Sequence, residues 1–195
     1  MVCILLSTYN GELYLDEQLE SLVCQEGVEI RILVRDDRSK DSTCEILNKW
    51  QDKGLLTWYT GVNKGPAQSF MDLLYHAPEA DYYAFCDQDD VWLPDKLKVA
   101  VSKLEMLPDI TTVPAMYFST QMLVDANLNE LGINQINYIF SFGESLLRNP
   151  AGGCTIVFNK ALQRELIAYH PAFVSMHDSW TYRVCLAIGG HIVYD

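Results

Sequence analysis

Tyr83-Ala-Phe-Cys-Asp-Gln-Asp-Asp-Val-Trp-Leu-Pro-Asp-Lys-Leu97 sets three acidic residues, Asp87, Asp89 and Asp90, directly after an apolar, aromatic-rich run that reads as a buried strand. Carboxylates this close repel one another unless a cation or a set of donors sits among them. Strand alternation sends Asp87 and Asp89 to one side, where they can share a divalent metal, and Asp90 elsewhere. The stretch therefore predicts a metal site at the carboxyl end of a strand. Such triplets also occur in solvated turns, so the choice rests on the rest of the chain.

Working outward, the same strand, polar loop and helix pattern recurs. Val2 to Leu6 is apolar and stops at Ser-Thr-Tyr-Asn-Gly, after which Leu15, Leu19, Leu22 and Val23 recur at helical spacing. Ile30 to Val34 is apolar, a polar turn follows, and Ser42 with Glu45 predicts a capping box ahead of Ile46, Leu47 and Trp50. A third cycle runs from Leu55 to Tyr59, through Asn63-Lys-Gly-Pro66, to a helix carrying Phe70, Leu73 and Leu74. The fourth takes Tyr82 to Cys86 into the acidic stretch and then a helix with Pro94 near its first turn and Leu97, Val101 and Leu104 on one face.

Successive βα cycles predict an α/β fold with a mainly parallel central sheet flanked by helices, because parallel neighbours need crossovers and crossovers are right-handed. Ligands of such sheets bind at the carboxyl ends of the strands. The loops at Thr8 to Gly11, Asp36 to Asp41, Asn63 to Pro66 and Asp87 to Asp90 should then border one crevice. After Pro108 the pattern changes: Ala115 to Ser119, Gln121 to Val124 and Gly152 to Phe158 read as strands, and 127–137 as a polar connection. Helical patterns follow at Ala161 to Ala168 and Trp180 to Ile188, and the chain closes on a strand-like His191-Ile-Val-Tyr-Asp. We read residues 1–195 as a single domain with two halves, 1–107 and 108–195, the second truncated at its C-terminus.

Composition narrows the partners. A net charge of −12 disfavours a nucleic-acid partner, because phosphate backbones want a basic surface. A nucleotide remains compatible if metal ions neutralise its pocket. The six cysteines lack any metal-type spacing and read as reduced thiols, which points to a cytoplasmic setting. No run approaches the ~20 apolar residues of a membrane span.

In the loops, Ser7, Thr8, Tyr9 and Asn10 offer hydroxyls, an amide and a ring on which a base can stack. Neither a dinucleotide-binding glycine pattern nor a Walker loop follows the first strand. Asp36 or Asp37 can accept from a pyrimidine ring N–H or a sugar hydroxyl, or cap the next helix. Lys64, between Asn63 and Gly65, can meet a phosphate or the rim of a base. Asp178, in His177-Asp-Ser-Trp180, is either an N-cap or a general base, ionised at neutral pH with a pKa near ~4.

Taken together, Ser7-Thr-Tyr-Asn-Gly11, Val34-Arg-Asp-Asp-Arg-Ser-Lys-Asp-Ser-Thr43, Asn63-Lys-Gly65, Phe85-Cys-Asp-Gln-Asp-Asp-Val-Trp-Leu-Pro94, Gly152-Gly-Cys-Thr155 and His177-Asp-Ser-Trp180 resemble the family 2 glycosyltransferases. The resemblance is nearest to the bacterial rhamnosyltransferase-like branch that builds surface polysaccharides. It implies a GT-A fold, inversion at the anomeric carbon, Mg²⁺ or Mn²⁺, a UDP- or dTDP-linked sugar donor and a saccharide or lipid-linked saccharide acceptor. By position it implies that Thr8 and Tyr9 line the nucleoside pocket and that Asp36 or Asp37 binds the base. Asp87 and Asp89 would hold ribose, metal and diphosphate, Gly152 to Cys154 would border the acceptor, and Asp178 would be the catalytic base. The loop readings add Asn10, Asn63, Lys64 and Gly65 to the donor-binding set. Relatives' C-terminal regions imply a peripheral place at the inner face of the membrane. Arg38 departs from the family, which frequently has glycine there. Two rival readings are a sugar-nucleotide nucleotidyltransferase, disfavoured by the lack of a glycine-rich basic loop after the first strand, and a nucleotide-sugar binding module without transfer activity.

Overall fold

The computed structural model describes residues 1–134 and 141–195. Four βα units come first: β1 (Val2–Thr8), α1 (Leu15–Val23), β2 (Ile30–Asp36), α2 (Thr43–Asp52), β3 (Thr57–Thr60), α3 (Pro66–His76), β4 (Tyr82–Cys86) and α4 (Lys96–Glu105). The rest comprises β5 (Ala115–Phe118), β6 (Gln121–Val124), β7 (Glu130–Asn134), α5 (Phe142–Ser145), a 3-10 turn at Gly153–Thr155, β8 (Val157–Asn159), α6 (Lys160–Ala168), α7 (His177–Ala187) and β9 (His191–Tyr194). A seven-stranded sheet runs β3-β2-β1-β4-β8-β5-β9. All its pairings are parallel except those of β8, which is antiparallel to β4 and β5. The expected α/β class, with a mainly parallel sheet between helices, is what the chain adopts.

The apolar runs are continuous because both faces of the sheet are covered. In β1, Val2, Ile4 and Leu6 pack on Leu15 and Leu19 of α1, Leu47 of α2 and Leu97 of α4. The alternate residues Cys3 and Leu5 pack on Phe70 and Leu73 of α3, Leu162 of α6 and Tyr182 of α7. Each fully buried leucine contributes about 1.5–3 kcal/mol. A one-residue slip of β1 would exchange the two sets and mismatch both cores.

The order β3-β2-β1-β4 makes the chain's path reverse beside β1, so α1 and α3 lie on opposite faces. At such a reversal the loops leaving two neighbouring strands diverge and a crevice opens above the sheet. Here those loops follow β1 and β4.

Several local expectations are corrected. Ser42 makes no side-chain cap, and Asp41 accepts the Thr43 N–H at 3.1 Å in its place. The Ser42 N–H goes instead to Glu12, 30 residues away. The third strand starts at Thr57, because Leu55 is exposed and pairing with β2 begins at Leu33↔Thr57. The polar connection contains a strand, β7, which forms an exposed hairpin with β6; its last three residues, 135–137, lie outside the described ones. The strand expected from Gly152 is confined to Val157–Asn159, and the helix expected from Trp180 begins at His177. All six cysteines are free. No helix of the described residues is long and apolar enough to cross a membrane.

Candidate active site

Parallel strands deliver their carboxyl ends to one edge, and a cleft of about 390 Å³ lies there. Thr8 and Tyr9 of the first loop, Asp37 of the second, Asn63 and Gly65 of the third, and Asp87 and Asp89 of the fourth all border it. Lys64 faces an adjoining hollow of about 530 Å³ that shares Gly65 and Pro66 with the cleft. The hydroxyl of Thr8 and the N–H of Tyr9 both donate to Gln88 Oε1, at 2.7 and 2.8 Å. Gln88 thereby clamps the loop after β1 to the acidic loop after β4. A side chain on Gly11 would begin 2.5 Å from that same oxygen, so the clamp leaves room only for glycine.

Asn10 and Asp36 do not line the cleft. Asn10 is turned away, accepting the Lys40 N–H at 2.9 Å while its own N–H donates to Ser39. Asp36 accepts from the N–H groups of Arg38 and Ser39 and from the hydroxyls of Ser39 and Thr60. Its oxygens are committed to holding the turn after β2. Asp37 is the member of the pair at the cleft wall, with Arg35 on one oxygen and the Lys64 and Gly65 N–H groups on the other.

The acidic loop differs from its sequence reading. The chain leaves the strand at Cys86 and turns at Gln88 and Asp89, so alternation lapses. Asp90, expected to point elsewhere, brings its carboxylate into a group with Asp87 and the Cys154 thiol, all ligand atoms within 4.8 Å of one another. Asp89, expected to share the ion with Asp87, stands outside that group on the cleft wall. Burial, then the charges of Asp90 and Asp89, push the Asp87 carboxyl up to about 7. Asp90 is likewise raised, by burial first, and its Oδ2 is buried without a hydrogen-bond partner. An orphaned oxygen among crowded carboxylates fits a divalent cation, with oxygens as hard ligands and the thiol as a softer one.

Lys96, in the first turn of α4, brings an ammonium against this group. Its Nζ donates to the Cys154 carbonyl at 2.6 Å and lies 4.3 Å from the centre of the Trp92 ring. Burial lowers its pKa, while the Cys154 and Cys86 thiols, Asp90 and Asp87 act the other way.

Asp178 is not an N-cap. That position is Met176, and Asp178 sits in the first turn of α7, where the helix dipole favours a negative charge. It is buried; burial raises its pKa, against a Ser179 N–H and the Asn149 side chain that stabilise its charge. Its charge is felt at Asp87. A side chain on Gly153 would begin 3.7 Å from the Asp178 Cβ and 2.7 Å from His177 Nε2, so the turn before β8 approaches α7 closely only because glycine is there. The sequence reading passed over Arg35, Gln88 and Lys96, and it placed Cys154 at the acceptor border rather than beside the acidic group. Gln88 and Lys96 lie inside the opening stretch, and their polar character amid apolar and acidic neighbours was the available signal.

A family model described as Glycosyl transferase family 2 matches residues 3–169. Among curated proteins, the chain is similar to the dTDP-rhamnosyl transferase RfbG of Shigella flexneri, 37% identical over 105 residues, covering 51% of this chain and 36% of that protein. It is also similar to the UDP-Glc:alpha-D-GlcNAc-diphosphoundecaprenol beta-1,3-glucosyltransferase WfaP of Escherichia coli, 30% identical over 105 residues, covering 54% of this chain and 41% of that protein. The chain thus spans about two fifths of the length of these relatives. Among solved structures, S. aureus TarS 1-349 in complex with UDP-GlcNAc superposes with a TM-score of 0.73 at 20% identity, covering 100% of this chain and 58% of that one. The mannosyltransferase PcManGT from Pyrobaculum calidifontis, in complex with GDP-Man and Mn²⁺, does so with a TM-score of 0.68 at 20% identity, covering 98% and 54%. At such identity the structural likeness shows the fold, which is GT-A, and nothing more.

Proposed function

Because the chain belongs to glycosyl transferase family 2, matched over residues 3–169, we propose that it moves a sugar from a UDP- or dTDP-linked donor to a hydroxyl of a saccharide or lipid-linked saccharide. The setting proposed is bacterial cell-surface polysaccharide synthesis, in the cytoplasm at the inner face of the membrane. The observation that carries this reading is the convergence of Tyr9, Asp37, Asp87 and Asp89 on one cleft. Residues 1–107 form the donor-holding half and 108–195 the acceptor side.

In this reading the exposed Tyr9 ring stacks on the base and Asp37 accepts its ring N–H, with Asn63, Lys64 and Gly65 at the rim and Thr8 behind. Asn10 and Asp36 act at one remove by shaping the loops. Asp87 and Asp89 face the ribose and diphosphate side. Asp87, Asp90 and Cys154 would hold Mg²⁺ or Mn²⁺, which supplies charge neutralisation for the departing diphosphate. Asp178 removes the proton of the acceptor hydroxyl as that oxygen attacks the anomeric carbon from the face opposite the nucleotide, giving inversion. Its raised pKa makes it a better proton acceptor than a solvated carboxylate.

The test is turnover of UDP- and dTDP-sugars with Mn²⁺. Wild type is expected to release nucleoside diphosphate, and Asp178→Asn to bind nucleotide normally while inactive. Tight donor binding with no transfer or hydrolysis by wild type would leave only a binding module.

A further inference from the structure

Among the described residues the largest fully buried side chain is a cation, Arg35, near the carboxyl end of β2. Its Nε donates to Asp72 Oδ2 at 3.0 Å, Nη1 to Asp37 Oδ1 and to Ser69 Oγ, the latter at 2.9 Å, and Nη2 to the Val62 carbonyl at 3.0 Å. One planar fork thus ties β2 to α3 and to the loop after β3. Ser69 in turn accepts from Ser7, and Asp72 from Tyr59. A buried ion pair is a poor device for stability alone, since apolar side chains of like volume serve as well. This one ends on a carboxylate at the cleft wall.

We propose that Arg35 is a positioning residue: it holds Asp37 as a fixed hydrogen-bond acceptor, so that the site prefers a base with a ring N–H, uracil or thymine, over cytosine. The inference rests on the donor reading above. Among the described residues the polar groups on the Asp37 carboxylate are all donors, namely the Arg35 guanidinium on Oδ1 and the Lys64 and Gly65 N–H groups on Oδ2. The guanidinium stays charged at any working pH. The carboxylate therefore meets the cleft with acceptor lone pairs only. Uracil and thymine offer N3–H to such a group, whereas cytosine offers a lone pair at N3. A site built to accept an N–H rejects the analogue that lacks it, because its own acceptor is left unpaired. Without the guanidinium, Asp37 Oδ1 would lose the partner that fixes its orientation.

Gly61 gives a second handle on the same fork. A side chain there would begin 2.3 Å from Arg35 Nη2, so Gly61→Ala displaces the guanidinium while keeping every charge. Arg35→Lys keeps the charge but cannot make the fork's separate bonds at once. Arg35→Met strands Asp37 and Asp72 and is set aside as a folding risk.

The experiment is calorimetric titration of UDP, dTDP and CDP, each with Mn²⁺ present, into wild type, Gly61→Ala and Arg35→Lys, with circular dichroism and thermal melts confirming that each variant folds. Wild type is expected to favour UDP and dTDP over CDP. Both variants are expected to lose about tenfold in affinity for UDP and dTDP with CDP unchanged, so that the preference collapses. An unchanged UDP-to-CDP ratio in both folded variants overturns the inference alone, as does an equal loss for all three nucleotides, which marks a structural brace. A wild type that binds none of the three overturns the donor reading and this inference with it.

Discussion

The Thr8 hydroxyl and the Gln88 side chain meet at 2.7 Å across 80 positions of sequence, and the Tyr9 N–H shares the same acceptor oxygen. The loop after β1 and the acidic loop after β4 are therefore coupled through one amide. Gln88→Ala removes both bonds, leaves the buried Thr8 hydroxyl unpaired, and is expected to cost about 1–3 kcal/mol of stability. It should also weaken nucleotide binding, because Tyr9 loses its anchor. Urea denaturation and nucleotide titration check the two parts; unchanged nucleotide affinity would remove Gln88 from the site.

Asp89 and Asp90 make separable predictions about the ion. With Asp87, Asp90 and Cys154 as the converging group, Asp90→Asn should lower Mn²⁺ affinity about tenfold or more by loss of a charged ligand. Asp89→Ala should chiefly weaken metal-dependent nucleotide binding. Calorimetric titration of Mn²⁺ without nucleotide distinguishes them. The reverse pattern would restore the Asp87 and Asp89 pair as the ligands.

Burial raises the Asp178 carboxyl. As the base it must be ionised, so kcat should fall as pH drops, along a limb centred above the ~3.9 of a free aspartate. A kcat profile flat down to that value would contradict the assignment. Loss of the base in Asp178→Asn should lower kcat by about 10²–10⁴-fold.

Arg38 occupies φ 69, where glycine is at ease and a side chain is strained by about 1–2 kcal/mol. Arg38→Gly relieves that strain but adds freedom to the unfolded chain. The net expectation is a gain of about 0.5–1 kcal/mol, read as a rise in the denaturation midpoint. A fall would mean that the arginine side chain makes a stabilising contact.

His177 is buried against Phe70, its ring centre 3.9 Å away, and burial pushes its pKa down to about 3 from 6.5. The folded state keeps it neutral while the unfolded state takes up a proton below about 6.5. Its contribution is therefore full above pH 6.5 and is lost, at up to ~1.4 kcal/mol per unit, as pH falls towards 3. The raised carboxyl of Asp87 acts in the opposite sense, so the comparison is with His177→Phe at each pH. That variant should lose less stability than wild type between pH 6.5 and 4.5; parallel curves would refute the burial argument.

Much of this architecture was legible because the cues are local. Continuous apolar strands such as Val2 to Leu6 and the helical spacing of Leu15, Leu19 and Leu22 announce elements buried by a sheet covered on both faces. Legibility failed where a distant partner outbids the local signal. Glu12 takes the Ser42 N–H and dissolves the capping box. The hairpin strand β7 is held by β6 and carries mostly exposed residues, so it shows no buried pattern.

The sequence by itself determined the α/β class, the order of the βα units and which loops carry the polar residues, since periodicity and turn chemistry act within a few positions of the chain. Only the tertiary structure decided which aspartate of each cluster faces the cleft. Asp37 rather than Asp36 reaches it, Asp87 and Asp89 line it, and Asp90 turns instead to Asp87 and Cys154. Side-chain direction in a loop has no fixed period. It is set by partners such as Arg35, Gln88 and Lys96, whose reach depends on how strands and helices stack in space.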